Sequence, residues 1–163
     1  MRSAACAARQ ICAGAIMMTV APFQAVAAEE PPAWCPALRD VTALVRAKDR
    51  FASIIGPVRE GNYFDTTLPL PGWADCSFYG ARTYVCDSQP ISGVEAAALV
   101  HARTVDDVKT CLRDGWTEDA SRASSGYAVI RDDRQAASIT INTDQTEKNE
   151  HVVRLILFLR SSR

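Results

Sequence analysis

Apolar residues recur at helical spacing in an early segment of the chain. Between Pro36 and Ile55 they lie three or four positions apart, with charged residues between them. This spacing places the apolar side chains on one face of an amphipathic helix. Gly56 and Pro57 follow, and they end a helix because glycine admits a left-handed conformation and proline lacks an amide hydrogen. The pattern therefore predicts a first helix over 36–55.

A second helix is predicted to begin near Ser92. Ser92 followed by Glu95 matches a capping box, in which each side chain accepts a hydrogen bond from a free amide of the other residue. The helix is expected to run to about Arg113 and to end at Gly115. The apolar stripe predicted for it consists of Ala98, Val105, Val108 and Leu112.

Between the two helices, alternating residues predict a hairpin. The predicted strands are 74–79 and 82–87, and the turn between them contains Gly80. If the turn is centred near Ala81, residues whose numbers sum to 162 lie opposite one another. Cross-strand neighbours share one side of the sheet, because side chains alternate with period two.

Three more strands are predicted after the second helix, at 127–131, 136–143 and 151–160. The last one is apolar on both faces, since Ile156 and Phe158 lie opposite a row of leucines and a valine. Such a strand is expected at the centre of a sheet, with its second face covered by a helix or by a partner.

The segment from Pro57 to Trp73 is predicted to be a long loop, because it is rich in proline and glycine. Loops of this length are uncommon unless they have a task. The loop also holds Tyr63 and Phe64. Either these aromatics pack beneath their own loop, or they form a recognition surface.

The order of elements, α-β-β-α-β-β-β, predicts an α+β domain of two layers. An antiparallel sheet of about five strands would carry two helices on one face. No linker and no internal repeat divides the chain after the first residues, so we expect one domain over 29–163.

The amino terminus is expected to be a secretory signal peptide over 1–28. A positively charged start is followed by an uncharged apolar run at 11–21 and by small residues at 25–28. The alternative is a transmembrane anchor, but the run is shorter than the roughly 20 residues that a spanning helix needs. We therefore expect a periplasmic or secreted protein with no membrane span after cleavage.

Composition narrows the classes of partner. The chain is 48% hydrophobic and 23% charged, which is ordinary for a globular protein. After cleavage, 16 basic residues stand against 19 acidic ones, a net charge of −3. A nucleic-acid binder would normally carry a basic stripe, and a membrane-surface protein a polybasic patch. Neither is visible, so we expect the partner to be another protein.

An even number of cysteines follows the predicted leader. They are Cys35, Cys76, Cys86 and Cys111. In an exported chain this indicates two disulfides. Zinc is the alternative, but no pair has the Cys-x-x-Cys spacing and the only histidines are His101 and His151.

Geometry favours one of the three pairings. Cys86 precedes the second helix, and Cys111 lies about 30 Å along it, at 1.5 Å per residue. This separation disfavours a bond between them. Antiparallel helices would bring Cys35 beside Cys111, while the hairpin register places Cys76 opposite Cys86. We therefore predict disulfides Cys35–Cys111 and Cys76–Cys86.

No catalytic, cofactor-binding or metal-binding residue is assigned. The chain lacks a nucleophile turn, a glycine-rich phosphate loop, calcium-loop spacing and a zinc helix motif. Asp65, Asp75 and Asp87 could approach one another near the open end of the hairpin and act as acid and base. Carboxylates near turns are more often solvated caps, so an enzyme is the less favoured interpretation.

These observations favour an exported, non-catalytic binding or inhibitor-like protein. The alternatives are a small envelope hydrolase using carboxylates and a structural accessory subunit of an envelope complex. Oligomeric state is left open. The candidate partner-binding residues are Tyr63, Phe64, Trp73, Ile156 and Phe158.

Overall fold

A computed structural model describes residues 30–160, so the predicted signal peptide lies outside the described residues. The helices are α1 (Cys35–Leu44) and α2 (Val94–Leu112), with short 3-10 helices at Arg50–Ser53 and Ala120–Arg122. The strands are β1 (Ile55–Glu60), β2 (Tyr63–Thr66), β3 (Asp75–Tyr79), β4 (Thr83–Asp87), β5 (Trp116–Glu118), β6 (Tyr127–Asp132), β7 (Ala137–Gln145) and β8 (His151–Leu159).

These strands form one antiparallel sheet in the order β1-β2-β3-β4-β8-β7-β6-β5. Strands β1 to β4 lie next to one another in chain order, and α2 then connects β4 to β5 at the opposite edge of the sheet. The chain then returns through β5, β6 and β7, so that β8 pairs with β4 in the middle. Each half of the domain is therefore one helix followed by four strands.

The α+β class, the two helices and the antiparallel sheet are confirmed, but the predicted strand number and order are wrong. The described part of the sheet has eight strands rather than about five. The segment 57–73, predicted as a loop, contains most of β1 and all of β2, and the three-residue β5 was not predicted. Strands β1 and β5 are the edges of the sheet, where burial imposes no clear alternation on the sequence.

Both helix predictions need correction at their ends. Helix α1 stops at Leu44, and Phe51 reaches the core from a separate 3-10 helix. Because Phe51 is apolar and buried, the helical spacing of apolar residues extends beyond the end of α1 in the sequence. The capping box before α2 is wrong, because Gly93 is the N-cap and no side chain caps the helix. Gly93 has φ 89°, a conformation that glycine adopts without a steric penalty.

The hairpin register and both disulfides are confirmed. Cys76 lies opposite Cys86, as the sum of 162 requires, and their Cα atoms are 4.1 Å apart. The other disulfide joins Cys35 at the start of α1 to Cys111 at the end of α2, with a Cα–Cα distance of 5.3 Å. Two disulfides within residues 30–160 fit an oxidising compartment.

The core lies between the helices and one face of the sheet, which we call the covered face. Leu155 and Leu157 of β8 point into it and are fully buried, as are Phe78 and Tyr84 of the hairpin. His101 of α2 is also buried. Its Nε2 lies 3.1 Å from the backbone oxygen of Ile141, an interaction that needs the Nε2 hydrogen as donor.

Candidate functional site: a groove on the open face of the sheet

The second face of the sheet, which we call the open face, has neither described helix packed against it. On β8 it presents Arg154, Ile156 and Phe158, which alternate with buried residues of the covered face. Strands β1, β2, β3, β4 and β8 line a groove there with a volume of about 400 Å³. Because side chains alternate along each strand, the pattern that fills the core also places a second set of residues in this groove.

One end of the groove is organised by Arg59 of β1. Its Nη1 and Nη2 donate to the two carboxylate oxygens of Asp75 at 2.7 and 3.0 Å, and its Nε donates to Asp65 Oδ1 at 2.8 Å. These hydrogen bonds raise the pKa of Arg59 and hold the pKa of the Asp75 carboxyl below its usual range. The bidentate geometry fixes the guanidinium and both carboxylates relative to one another.

Arg154 of β8 organises the neighbouring region in the same way. It donates to both carboxylate oxygens of Asp87 at 2.6 and 3.0 Å, and its Nη1 donates to Asp144 at 2.8 Å. The hydrogen bonds that Arg154 donates to Asp87 raise the pKa of Arg154, although partial burial opposes this. Asp75 and Asp87 are register partners on β3 and β4, so the two ion-pair clusters adjoin.

The approach of Asp65, Asp75 and Asp87 does not resemble an acid–base pair. Each carboxylate accepts a hydrogen bond from a guanidinium. A general acid would need a raised pKa, whereas that of Asp75 is lowered. Among residues 30–160, no group of histidine, cysteine, aspartate and glutamate could hold a metal ion. The arrangement is therefore suited to charge recognition.

Aromatic and aliphatic groups lie beside these charges. Tyr63 and Tyr79 are register partners, their ring centroids are 5.3 Å apart, and they are 48% and 50% exposed. Phe158 is 38% exposed, and Ile156 and Val85 also line the groove. The site thus combines exposed apolar surface with fixed charges.

The structure separates the candidate partner-binding residues into two groups. Tyr63, Ile156 and Phe158 line the groove, although Tyr63 is 93 positions before Ile156 in the sequence. Phe64 and Trp73 are partly buried and pack against the hydrophobic core. Of the three residues proposed on the predicted loop, only Tyr63 therefore lies in the groove with the two residues of the last strand.

Several groove residues were not identified from the sequence. Arg59 and Tyr79 contribute to it, yet each is an ordinary residue in its local context. The alternation within the hairpin could have placed Tyr79 beside Asp75 and Asp87, since all three occupy the same side of their strands.

The first half of α2 carries further exposed apolar side chains. Val94, Leu99 and Val100 are 60%, 73% and 37% exposed, and all three fall outside the predicted stripe. That stripe needs correction at one position, because Ala98 is exposed and Ala97 is buried instead. At about 100° per residue, the three exposed side chains point in different directions around the helix and do not form one patch.

None of the helices in the part of the chain that the structure describes is long and apolar enough to cross a membrane. No family model, curated protein or solved structure matches the chain, so the interpretation depends on the geometry of the groove.

Proposed function

We propose that this protein is an exported, non-catalytic binding protein whose open-face groove takes a basic and apolar segment of a partner protein. The observation that carries the proposal is the composition of the groove. Exposed aromatic and partly exposed aliphatic side chains lie beside ion-pair clusters that contain more acids than bases.

The charge of the groove favours a basic partner. Its lining contains Arg59 and Arg154 together with three acids, and the ion pairs add Asp65 and Asp144. Five carboxylates therefore stand against two guanidiniums, a local net charge of −3. Complementary charge speeds encounter and selects among partners more than it adds affinity.

The apolar part of the groove supplies the affinity. Tyr63, Tyr79 and Phe158 are the kinds of residue that anchor protein interfaces, since large rings bury much area at a low cost in side-chain entropy. They lie on strands of a disulfide-linked sheet rather than on a long loop. A preordered site of this kind loses little conformational freedom on binding.

Export is part of the proposal. The two disulfides fit an oxidising compartment, and the predicted leader over 1–28 would deliver the chain there. We propose the periplasm or the external medium as the place of action.

A peptide selection tests the groove. Phage-displayed random peptides are selected against the disulfide-bonded protein, and the dissociation constants of the selected peptides are measured by fluorescence anisotropy. We expect peptides in which lysine or arginine adjoins apolar residues. Phe158→Ala should weaken their binding about tenfold or more, and higher salt should weaken it further.

Leu99→Ala is the matched control, because it removes an exposed aliphatic side chain on α2, outside the groove. It should leave peptide affinity unchanged. Selection of acidic peptides, or binding that depends on Leu99 and not on Phe158, would refute the proposed site.

A further inference from the structure

A second cavity, independent of the groove, lies where α1 meets the end of α2. It has a volume of about 340 Å³ and is lined by three arginines, Arg39, Arg46 and Arg113, together with Trp116. The Cys35–Cys111 disulfide joins the two helices beside it. The cross-link therefore holds the arginine-bearing segments at a fixed separation.

Each guanidinium is tethered by one nitrogen. Arg39 Nε donates to the backbone oxygen of Cys111 at 2.7 Å, and Arg113 Nε donates to that of Thr110 at 3.2 Å. Arg46 Nη2 donates to Asp132 Oδ1 at 2.6 Å. Since a guanidinium has further N–H donors, each arginine can still bind a ligand while its tether limits its motion.

The tethers also reduce a repulsion that an anion would otherwise meet. The last carbonyls of a helix have no partners within the helix and carry partial negative charge. At the end of α2, Arg39 and Arg113 bind two of these carbonyls. The negative end of the helix is thus neutralised by the side chains that line the cavity.

Positive charge predominates in the lining. Asp114 is the one acidic residue among the described residues that line the cavity. Asp132 lies behind Arg46 with its side chain fully buried, and it also accepts a hydrogen bond from the Ala136 amide at 3.2 Å. Three guanidiniums therefore surround the cavity with one carboxylate among them.

We propose that this cavity binds an oxyanion, either a free phosphate or a phosphate group carried by a larger molecule. Guanidinium groups bind tetrahedral oxyanions well, because their planar N–H groups donate to two oxygens at once. Ordering of the arginines before binding lowers the entropic cost of forming the complex. This site is separate from the proposed protein-binding groove and does not depend on it.

The test uses the disulfide-bonded protein, titrated with sodium phosphate at constant ionic strength. Binding is measured by calorimetry, and its position is mapped from amide and arginine Nε shifts in nuclear magnetic resonance spectra. Glycerol phosphate forms a second arm. Equal affinity would indicate that the free ion suffices, and tighter binding of glycerol phosphate would indicate a phosphate on a larger molecule.

The double variant Arg39→Gln/Arg113→Gln should weaken phosphate binding about tenfold or more. Arg46 is kept, because its removal would leave the buried Asp132 without its ion-pair partner. If the double variant does not fold, Arg113→Gln alone replaces it, since that side chain is exposed and is tethered within its own helix.

Arg82→Gln is the control. Arg82 also donates to a backbone oxygen, that of Leu159, but it lies outside the cavity. The control should bind phosphate as the wild type does. Equal affinity of the wild type and the cavity variant, or shifts spread over the whole surface, would overturn the proposal.

Discussion

Neighbouring residues of β8 show how differently the two faces of the sheet are used. Leu155 and Leu157 on the covered face are fully buried, whereas Phe158 on the open face is 38% exposed and Ile156 is partly exposed. Side chains alternate between the two faces along the whole strand, but the helices pack against only the covered face. The covered face therefore stabilises the fold, and the open face keeps apolar surface available.

The ion pairs on the two faces also differ in how far they are exposed to solvent. On the covered face, the Asp132 side chain is fully buried and paired with Arg46. On the open face, the Arg59 ion pairs join side chains that are 43–49% exposed. Exposed pairs of this kind contribute about 0–1 kcal/mol to stability. We therefore expect the Arg59 cluster to add little stability, which agrees with the proposed role in recognition.

The largest expected effect comes from the cross-link between the helices on the covered side. Cys35→Ser/Cys111→Ser opens a loop with a sequence separation of 76, and the chain-entropy model gives a loss of up to about 4.5 kcal/mol in the free energy of unfolding. Cys76→Ser/Cys86→Ser, with a separation of 10, should cost up to about 3 kcal/mol. Urea unfolding measures both, and the reverse order would contradict this explanation.

The next largest loss of stability is expected from a substitution on the covered face of β8, and a substitution on its open face serves for comparison. Leu155→Ala should lower the free energy of unfolding by about 3 kcal/mol, because it leaves a cavity in the core. Ile156→Ala, on the open face, should cost less than about 1.5 kcal/mol, because water already reaches that side chain. Urea unfolding of both variants measures the difference. Equal losses would show that the open face is covered in solution.

A smaller effect concerns a tyrosine on each face. Tyr84 is fully buried, and its Oη donates to the Leu68 backbone oxygen at 2.8 Å, so Tyr84→Phe should cost about 1 kcal/mol. Burial raises the pKa of Tyr84, so its contribution to stability is complete below about pH 10 and is lost as pH rises further. The Phe variant should lose less stability on alkaline titration than the wild type.

Tyr79→Phe, on the open face, is the control for the Tyr84→Phe substitution at pH 7. Tyr79 is 50% exposed. Removal of its hydroxyl should change the free energy of unfolding by less than about 0.5 kcal/mol, because surface substitutions usually have effects of this size. A loss for Tyr79→Phe as large as that for Tyr84→Phe would contradict the assignment of the two faces.

The smallest effect on stability is expected at the Arg59 cluster. Because the pKa of Asp75 is lowered, its ion pair stabilises the fold above about pH 4 and loses this effect as pH falls further. Asp75→Asn should change the free energy of unfolding by less than about 1 kcal/mol at pH 7, since the pair is exposed. The same variant should weaken binding of the selected basic peptides, as anisotropy would show. A large loss of stability without any loss of affinity would assign the cluster to the fold instead.

Local sequence patterns predicted the structure correctly where it depends on residues close together in the sequence. The hairpin turn predicted the pairing of Cys76 with Cys86, and helix length disfavoured a bond between Cys86 and Cys111. Local patterns failed at β1, where Val58 is 63% exposed and the pairing with β2 shifts in register between Ile55 and Val58. An edge strand buries too little of its surface to impose the alternation that identifies a strand.

The sequence by itself determined the α+β class, the hairpin register and both disulfides, because these depend on spacing over short distances or on the length of one helix. Only the tertiary structure decided that β8 lies beside β4, which brings Phe158 and Arg154 to the groove that Tyr63 and Arg59 also line. The order of strands in a sheet depends on the packing free energy of the whole domain, and no local window of the sequence contains that information.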